Sequence, residues 1–182
     1  LAVAYQVYFF SPHFLFTLAA NKSENARKSK LKMFNPGITL DDLNALNQNT
    51  MGSHLGIEFT ELGADFIKAK MPVDQRTFQP FKLLHGGASV ALAETLGSVA
   101  AHISVDMDKQ YCVGIEINAN HIRSVRSGYV YGTATPLHRG KTTQVWEIRI
   151  EDEEHRLVCV SRITNMVMQR RPPANKTAAQ ND

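Results

Sequence analysis

The sequence predicts an α+β fold, an antiparallel sheet of about six strands wrapped around one long central helix. Three observations predict it. Six segments rich in β-branched and aromatic residues are separated by short turn-like breaks. One run, about residues 88–104, has helical length and is apolar on nearly every side, the mark of a buried helix. The order along the chain is a short helix, two strands, the long helix and four strands, which suits a sheet curled around its helix.

The elements follow in order. Thr39 can N-cap a short helix in "TLDDLNALNQ", with Asp41 and Asp42 in the first turn, where the helix dipole favours acids. "GIEFTELG" and "FIKAKMPV" alternate and read as a hairpin around "AD". Then comes "QPFKLLHGGASVALAETLGSVAAHI", in which Gly86 and Gly87 form a loop entering the long helix. Ala88, Ala91, Ala93, Gly97, Ala100 and Ala101 keep that helix slim. "CVGIEINANHIR", "GYVYGTATPLH", "TTQVWEIRIED" and "RLVCVSRITNMVM" complete the strands.

At 182 residues the chain fits one ordinary domain. We expect that domain at 33–169, with residues 1–32 an extension outside the fold and 170–182 a disordered tail. The opening twenty residues are apolar but are interrupted by Gln6, Ser11, Pro12 and His13, so no membrane span is expected. The leading residue is Leu, whereas "MFNPGITLDDLNALN" from Met33 reads as a start. Net charge is +3, yet residues 33–169 carry 12 basic against 15 acidic side chains. A nucleic-acid-binding domain would concentrate basic residues on its body, so none is expected. Cys112 and Cys159 lie in apolar strands without CxxC or His-rich spacing, which points to buried free thiols, no metal site and a cytoplasmic setting.

Glu94 is the residue that raises a chemical question. A carboxylate in so apolar a run costs several kcal/mol unless it is paired or its pKa rises. Glu94, Ser98 and His102 share one helical stripe. His85-Gly86-Gly87 precedes the helix, where free amides and close backbone approach can make an oxyanion hole. On spacing alone the same residues also read as a tight turn and a salt-bridged core glutamate. Gly86 and Glu94 stand about 12 Å apart along one helix, too far to act on one carbonyl carbon. Two such helices packed antiparallel across a two-fold axis would bring Glu94 of one chain to Gly86 of the other. No GxSxG elbow, GxGxxG, P-loop or HExxH is present.

"MPVDQRTFQPFKLLHGGASVALAETLGSVA", "GIEINANHIRSVRSG" and "PLHRGKTTQVWEI" resemble the hotdog-fold acyl-CoA thioesterases of the 4-hydroxybenzoyl-CoA thioesterase type, over about residues 38–168. The resemblance implies a cofactor-free hydrolase with an acyl-CoA substrate, 1,4-dihydroxy-2-naphthoyl-CoA of menaquinone synthesis being the expected one. An aryl group on a carrier protein is the alternative. It implies Glu94 as nucleophile or general base and the Gly86 amide polarising the carbonyl. Gln79 and His85 would orient the thioester, and Ser98 the water or the carboxylate. His121, Arg123 and Ser124 would lie near the acyl group and the CoA arm, and Arg139 and Lys141 could meet CoA phosphates. A homodimer with shared sites, paired into a dimer of dimers, is implied as well. Lys82 stands where the resemblance leads us to expect Gly. A non-catalytic acyl-CoA-binding module and a hydratase of the same fold are the rival functions.

Overall fold

The computed structural model describes residues 33–170. The expected extension at 1–32 and the tail beyond Arg170 lie outside the described residues. Arg170 itself is held, its backbone N–H donating to the Lys109 carbonyl and its Nε to the Met107 carbonyl at 2.9 Å.

Helix α1 (Leu40–Leu46) starts at Thr39 as expected. The Thr39 side chain accepts the Asp42 N–H, and Asp42 accepts the Thr39 N–H in return, a capping box. A single turn, α2 (Met51–His54), repeats the device with Thr50 and Ser53. Four residues are too few to leave a periodic signal. Strands β1 (Glu58–Leu62) and β2 (Ile67–Pro72) form the expected hairpin. Their inward residues Phe59, Ile67, Ala69 and Met71 are buried, while Lys70 and Lys68 pair with Glu58 and Glu61 on the outside.

The long helix, α3 (Gly86–Ile103), begins two residues before the predicted start. His85 caps it by accepting the Gly87 N–H, which draws both glycines into the first turn. Strands β3 (Gln110–His121), β4 (Tyr129–Arg139), β5 (Thr143–Asp152) and β6 (Leu157–Gln169) follow. The sheet is antiparallel, in the order β1-β2-β4-β5-β6-β3. Strand β3 thus forms one edge, paired among the described residues with β6 alone. A register shift between Gly114 and Glu116 lets both Gly114 and Ile117 face the helix.

Leu92 and Leu96 of α3 pack in one buried cluster with Val130, Trp146, Ile148, Ile150 and Ile163 of the sheet. Each large side chain taken from water contributes about 1.5–3 kcal/mol. Small residues on α3 let the sheet close over it: a Cβ on Gly97 would overlap Ile163 Cγ2. Trp146, the sole tryptophan of the sequence, donates its indole N–H to Gln144 Oε1 at 2.9 Å and stacks on Phe34 with centroids 6.2 Å apart. Cys112 and Cys159 are free thiols.

Candidate active site

The N-terminal end of α3 collects four of the candidate residues. His85 Nδ1 accepts the Gly87 N–H at 2.8 Å, so the ring proton of the neutral imidazole sits on Nε2, facing outward as a donor. The Gly86 N–H is the first amide of the helix and takes no acceptor among the described residues. A Cβ on Gly86 would lie 2.8 Å from His121 Nε2, so glycine is what lets the end of β3 close against the helix start. The loop before the helix is pinned by Gln79 N–H to Leu83 O at 2.8 Å and His85 N–H to Thr77 O at 2.8 Å. Gln79 Oε1 accepts the Phe81 N–H, leaving its NH2 group as the available donor. Lys82 adopts φ 60°, the left-handed region that favours glycine, which is the physical reason a glycine is expected there. Arg123 and Ser124 follow β3 on the exposed side, and their segment is tied to the loop by Leu84 N–H to Val125 O at 2.8 Å.

Glu94 lies farther along α3, half-buried, with Ser98 Oγ donating to its Oε1 at 3.2 Å. This is the i, i+4 pair expected from spacing. Burial pushes the Glu94 carboxyl above its ordinary value, and the Ser98 hydrogen bond pulls it partly back. Among the described residues no lysine or arginine pairs with it, so the salt-bridged core reading finds no partner there. Gly114 of β3 is the residue sequence reasoning missed. A Cβ there would stand 2.7 Å from Glu94 Oε1, so the carboxylate occupies the space a side chain would have filled. A glycine inside a strand pattern was the available signal. Third on the predicted stripe, His102 is buried with its pKa lowered to about 4, first by desolvation and then by Arg170. It stays neutral, two turns from Glu94.

Arg139 and Lys141 lie elsewhere. They line a cavity of about 610 Å³ with Ser104, Asp106, Gln144 and Gln169, at the C-terminal end of α3. The Arg139 guanidinium donates to Ser104 O at 2.9 Å. An 18-residue helix spans about 27 Å, so within one chain these two cations are remote from Gly86 and His85. The expected CoA-contacting residues therefore divide between the two ends of the helix. Among the described residues no group of three or more His, Cys, Asp or Glu is arranged to hold a metal ion, and no helix is long and apolar enough to cross a membrane.

A family model described as the thioesterase superfamily matches residues 81–159. The 1,4-dihydroxy-2-naphthoyl-CoA hydrolase of Escherichia coli is 53% identical over 72% of this chain and 96% of its own length. The proofreading thioesterase EntH of Cronobacter turicensis is 54% identical over 72% of this chain and 95% of its own. The crystal structure of thioesterase HI1161 from Haemophilus influenzae superposes with a TM-score of 0.73 at 51% identity, covering 75% of this chain and 95% of that one.

Proposed function

The chain belongs to the thioesterase superfamily, and from that membership we propose that it hydrolyses an aromatic acyl-CoA thioester, with 1,4-dihydroxy-2-naphthoyl-CoA of menaquinone synthesis the first candidate. That it is a thioester hydrolase of the hotdog fold is the established part. The observation that carries the rest is Glu94, a partly buried carboxylate with no cationic partner among the described residues, held by Ser98 and seated over Gly114.

A thioester carbonyl has weak resonance, so a carboxylate and one oxyanion donor are enough to open it. As general base, Glu94 takes a proton from water while the water oxygen bonds to the carbonyl carbon. The Gly86 N–H donates to the developing oxyanion. The C–S bond then breaks and the proton passes from Glu94 to the thiolate, releasing acid and CoA. As nucleophile, Glu94 forms an anhydride that water cleaves, with the same products. Single-turnover hydrolysis in ¹⁸O-water separates the two, because only the anhydride route can leave label in Glu94.

The separation of Gly86 and Glu94, about 12 Å along α3, supports a site shared between two antiparallel helices of a homodimer. That pairing also puts the Arg139–Lys141 end of one helix on the same side as the His85–Gly86 end of the other, about 15 Å beyond it along the axis, a distance for the CoA arm to span. We extend the proposal to a dimer of dimers acting in the cytoplasm. A second reading has a specific support: the relative named for proofreading is as similar as the one named for the naphthoyl substrate. Under it the same site takes an aryl group from a carrier protein.

The test is complementation. Glu94→Gln and Gly86→Pro are each expected to be inactive, and mixing them under proven subunit exchange should restore turnover. A mixture that stays dead despite exchange refutes the shared site. A panel of naphthoyl-CoA, benzoyl-CoA, palmitoyl-CoA and aryl carrier protein thioesters, compared by kcat/KM, decides the substrate; preference for palmitoyl would overturn the aromatic reading.

A further inference from the structure

Gly114 is a glycine that the backbone of β3 does not require. Its φ lies outside the left-handed region, unlike those of Gly37, Gly56 and Gly128. The register shift beside it is therefore not the kind of bulge that calls for a left-handed glycine. Glycine inside a strand weakens it, having no side chain to pack and more freedom to lose on folding. What it provides here is room. A Cβ at Gly114 would meet Glu94 Oε1 at 2.7 Å, closer than real side-chain carbons come. Its next neighbour, Ile163 Cδ1, would stand at an ordinary 3.6 Å. The close approach that the missing side chain permits is that of the Glu94 carboxylate. Gly114 is half-buried on the edge strand, opposite Asn165 of β6, so the carboxylate lies at the margin of the sheet.

The same oxygen is the one that Ser98 holds. Ser98 Oγ donates to Oε1 at 3.2 Å, and Oε2 takes no hydrogen bond among the described residues. One carboxylate oxygen is thus fixed twice, by a hydroxyl of its own helix and by the bare backbone of the edge strand. The other is left uncommitted. The terminal torsion of a glutamate is broad, and pinning one oxygen narrows where the other points. We propose that Gly114 is a positioning residue for Glu94: it seats Oε1 beside the Ser98 hydroxyl and so commits Oε2 to the reaction. As base, Oε2 takes the proton of water; as nucleophile, it bonds to the carbonyl carbon. In either route Oε1 stays with Ser98. The inference rests on Glu94 being the reacting carboxylate.

Gly114→Ala in the full chain tests the seat directly. The atom in its way is the far end of a flexible side chain, so the carboxylate retreats while strand and helix stay. A misplacement on the order of 1 Å can cost about 10²-fold in rate. We therefore expect kcat to fall about 10- to 100-fold with KM held within about twofold. Ser98→Ala should lower kcat as well. Because both changes act on one oxygen, the double variant Ser98→Ala/Gly114→Ala should lose no more than about the larger single loss. Losses that multiply would mean that glycine and hydroxyl act separately, and an unchanged kcat in Gly114→Ala would mean that the carboxylate needs no seat. Either result overturns the proposal.

A second measurement is independent of turnover. In Glu94→Ala the obstructing oxygen is gone, so adding alanine at 114 should raise the melting temperature by about 2–4 °C more than it does in the native chain. Equal changes in the two backgrounds overturn the seat, and the comparison holds even where Gly114→Ala alone is too unstable to assay. Should Glu94→Gln retain full activity, it is the assignment of Glu94 as the reacting carboxylate that fails, and the melting comparison still decides whether Gly114 seats it.

Discussion

The two ends of α3 are treated in opposite ways. At the C-terminal end, carbonyls are taken up by protein donors. Asn35 gives both its backbone N–H and its side-chain amide to Ile103 O, Ser104 Oγ and Cys112 Sγ point to Ala101 O, and Arg139 holds Ser104 O. At the N-terminal end, His85 satisfies Gly87 but the Gly86 N–H is left to whatever approaches from outside. A buried helix can close both ends with side chains, and this one closes only one. The open end is the one the proposed mechanism turns toward the thioester, and on that reading stability is withheld there for binding.

The comparison breaks most sharply at Gly86. Proline is tolerated at the first helical position, and His85 already has the extended φ −71° and ψ 133° that a following proline requires. Gly86→Pro therefore deletes one donor while the helix still starts, and its Cβ pushes the exposed His121 ring, 2.8 Å away, aside, so His121→Ala is the control that separates the two effects. We expect kcat to fall about 10²–10³-fold with the melting temperature little changed; a steady-state assay beside a thermal melt checks it. Collapse of both would mean that the open amide serves the fold.

At the closed end the largest effect is one of pH. His102 has its folded pKa depressed to about 4, so its contribution to stability is fully present above the unfolded value near 6.5. It is lost as pH falls from there toward 4, because the unfolded chain binds a proton that the fold rejects. The loss approaches about 3 kcal/mol at the acid limit. Urea unfolding between pH 7 and 4 should show it, and His102→Gln should flatten the slope. Asn35→Ala, which strips donors from Ile103 and Val105 carbonyls, should cost about 1–2 kcal/mol in the same assay and leave kcat unchanged. The smallest effect returns to the open end. Lys82 holds a left-handed φ of 60°, and Lys82→Gly should raise stability by about 1 kcal/mol. A destabilised variant would show that the lysine ammonium over the Phe78 ring is worth more than the strain.

What the sequence made legible was what lies close along the chain. Thr39 and Asp42 as a cap, the hairpin around Asp65, and the Glu94–Ser98 pair all depend on neighbours within four residues or so, and they stand as read. The helix start shifted by two residues because a histidine cap allowed the glycines to be helical. The rest depends on strand order. Gly114 meets Glu94 only because β3 crosses over to pair with the last strand and lies against α3. Arg139 and Lys141 looked like further members of a CoA-binding set, yet the end of β4 delivers them to the far end of the helix. No local pattern announces where a crossover will land.

The lone indole of Trp146 gives the molecule an optical gauge of its own core. Its ring is fully buried, stacked on Phe34 and hydrogen-bonded to Gln144, the β5 neighbour of Asn165. Native emission should therefore be blue-shifted and come from one environment, moving to the red in a single step as the sheet leaves the helix. Phe34 sits at the very start of the described fold, so its replacement by alanine should alter that emission before it alters catalysis. One wavelength thus follows the packing between sheet and helix without a label, a substrate or a second chromophore to subtract.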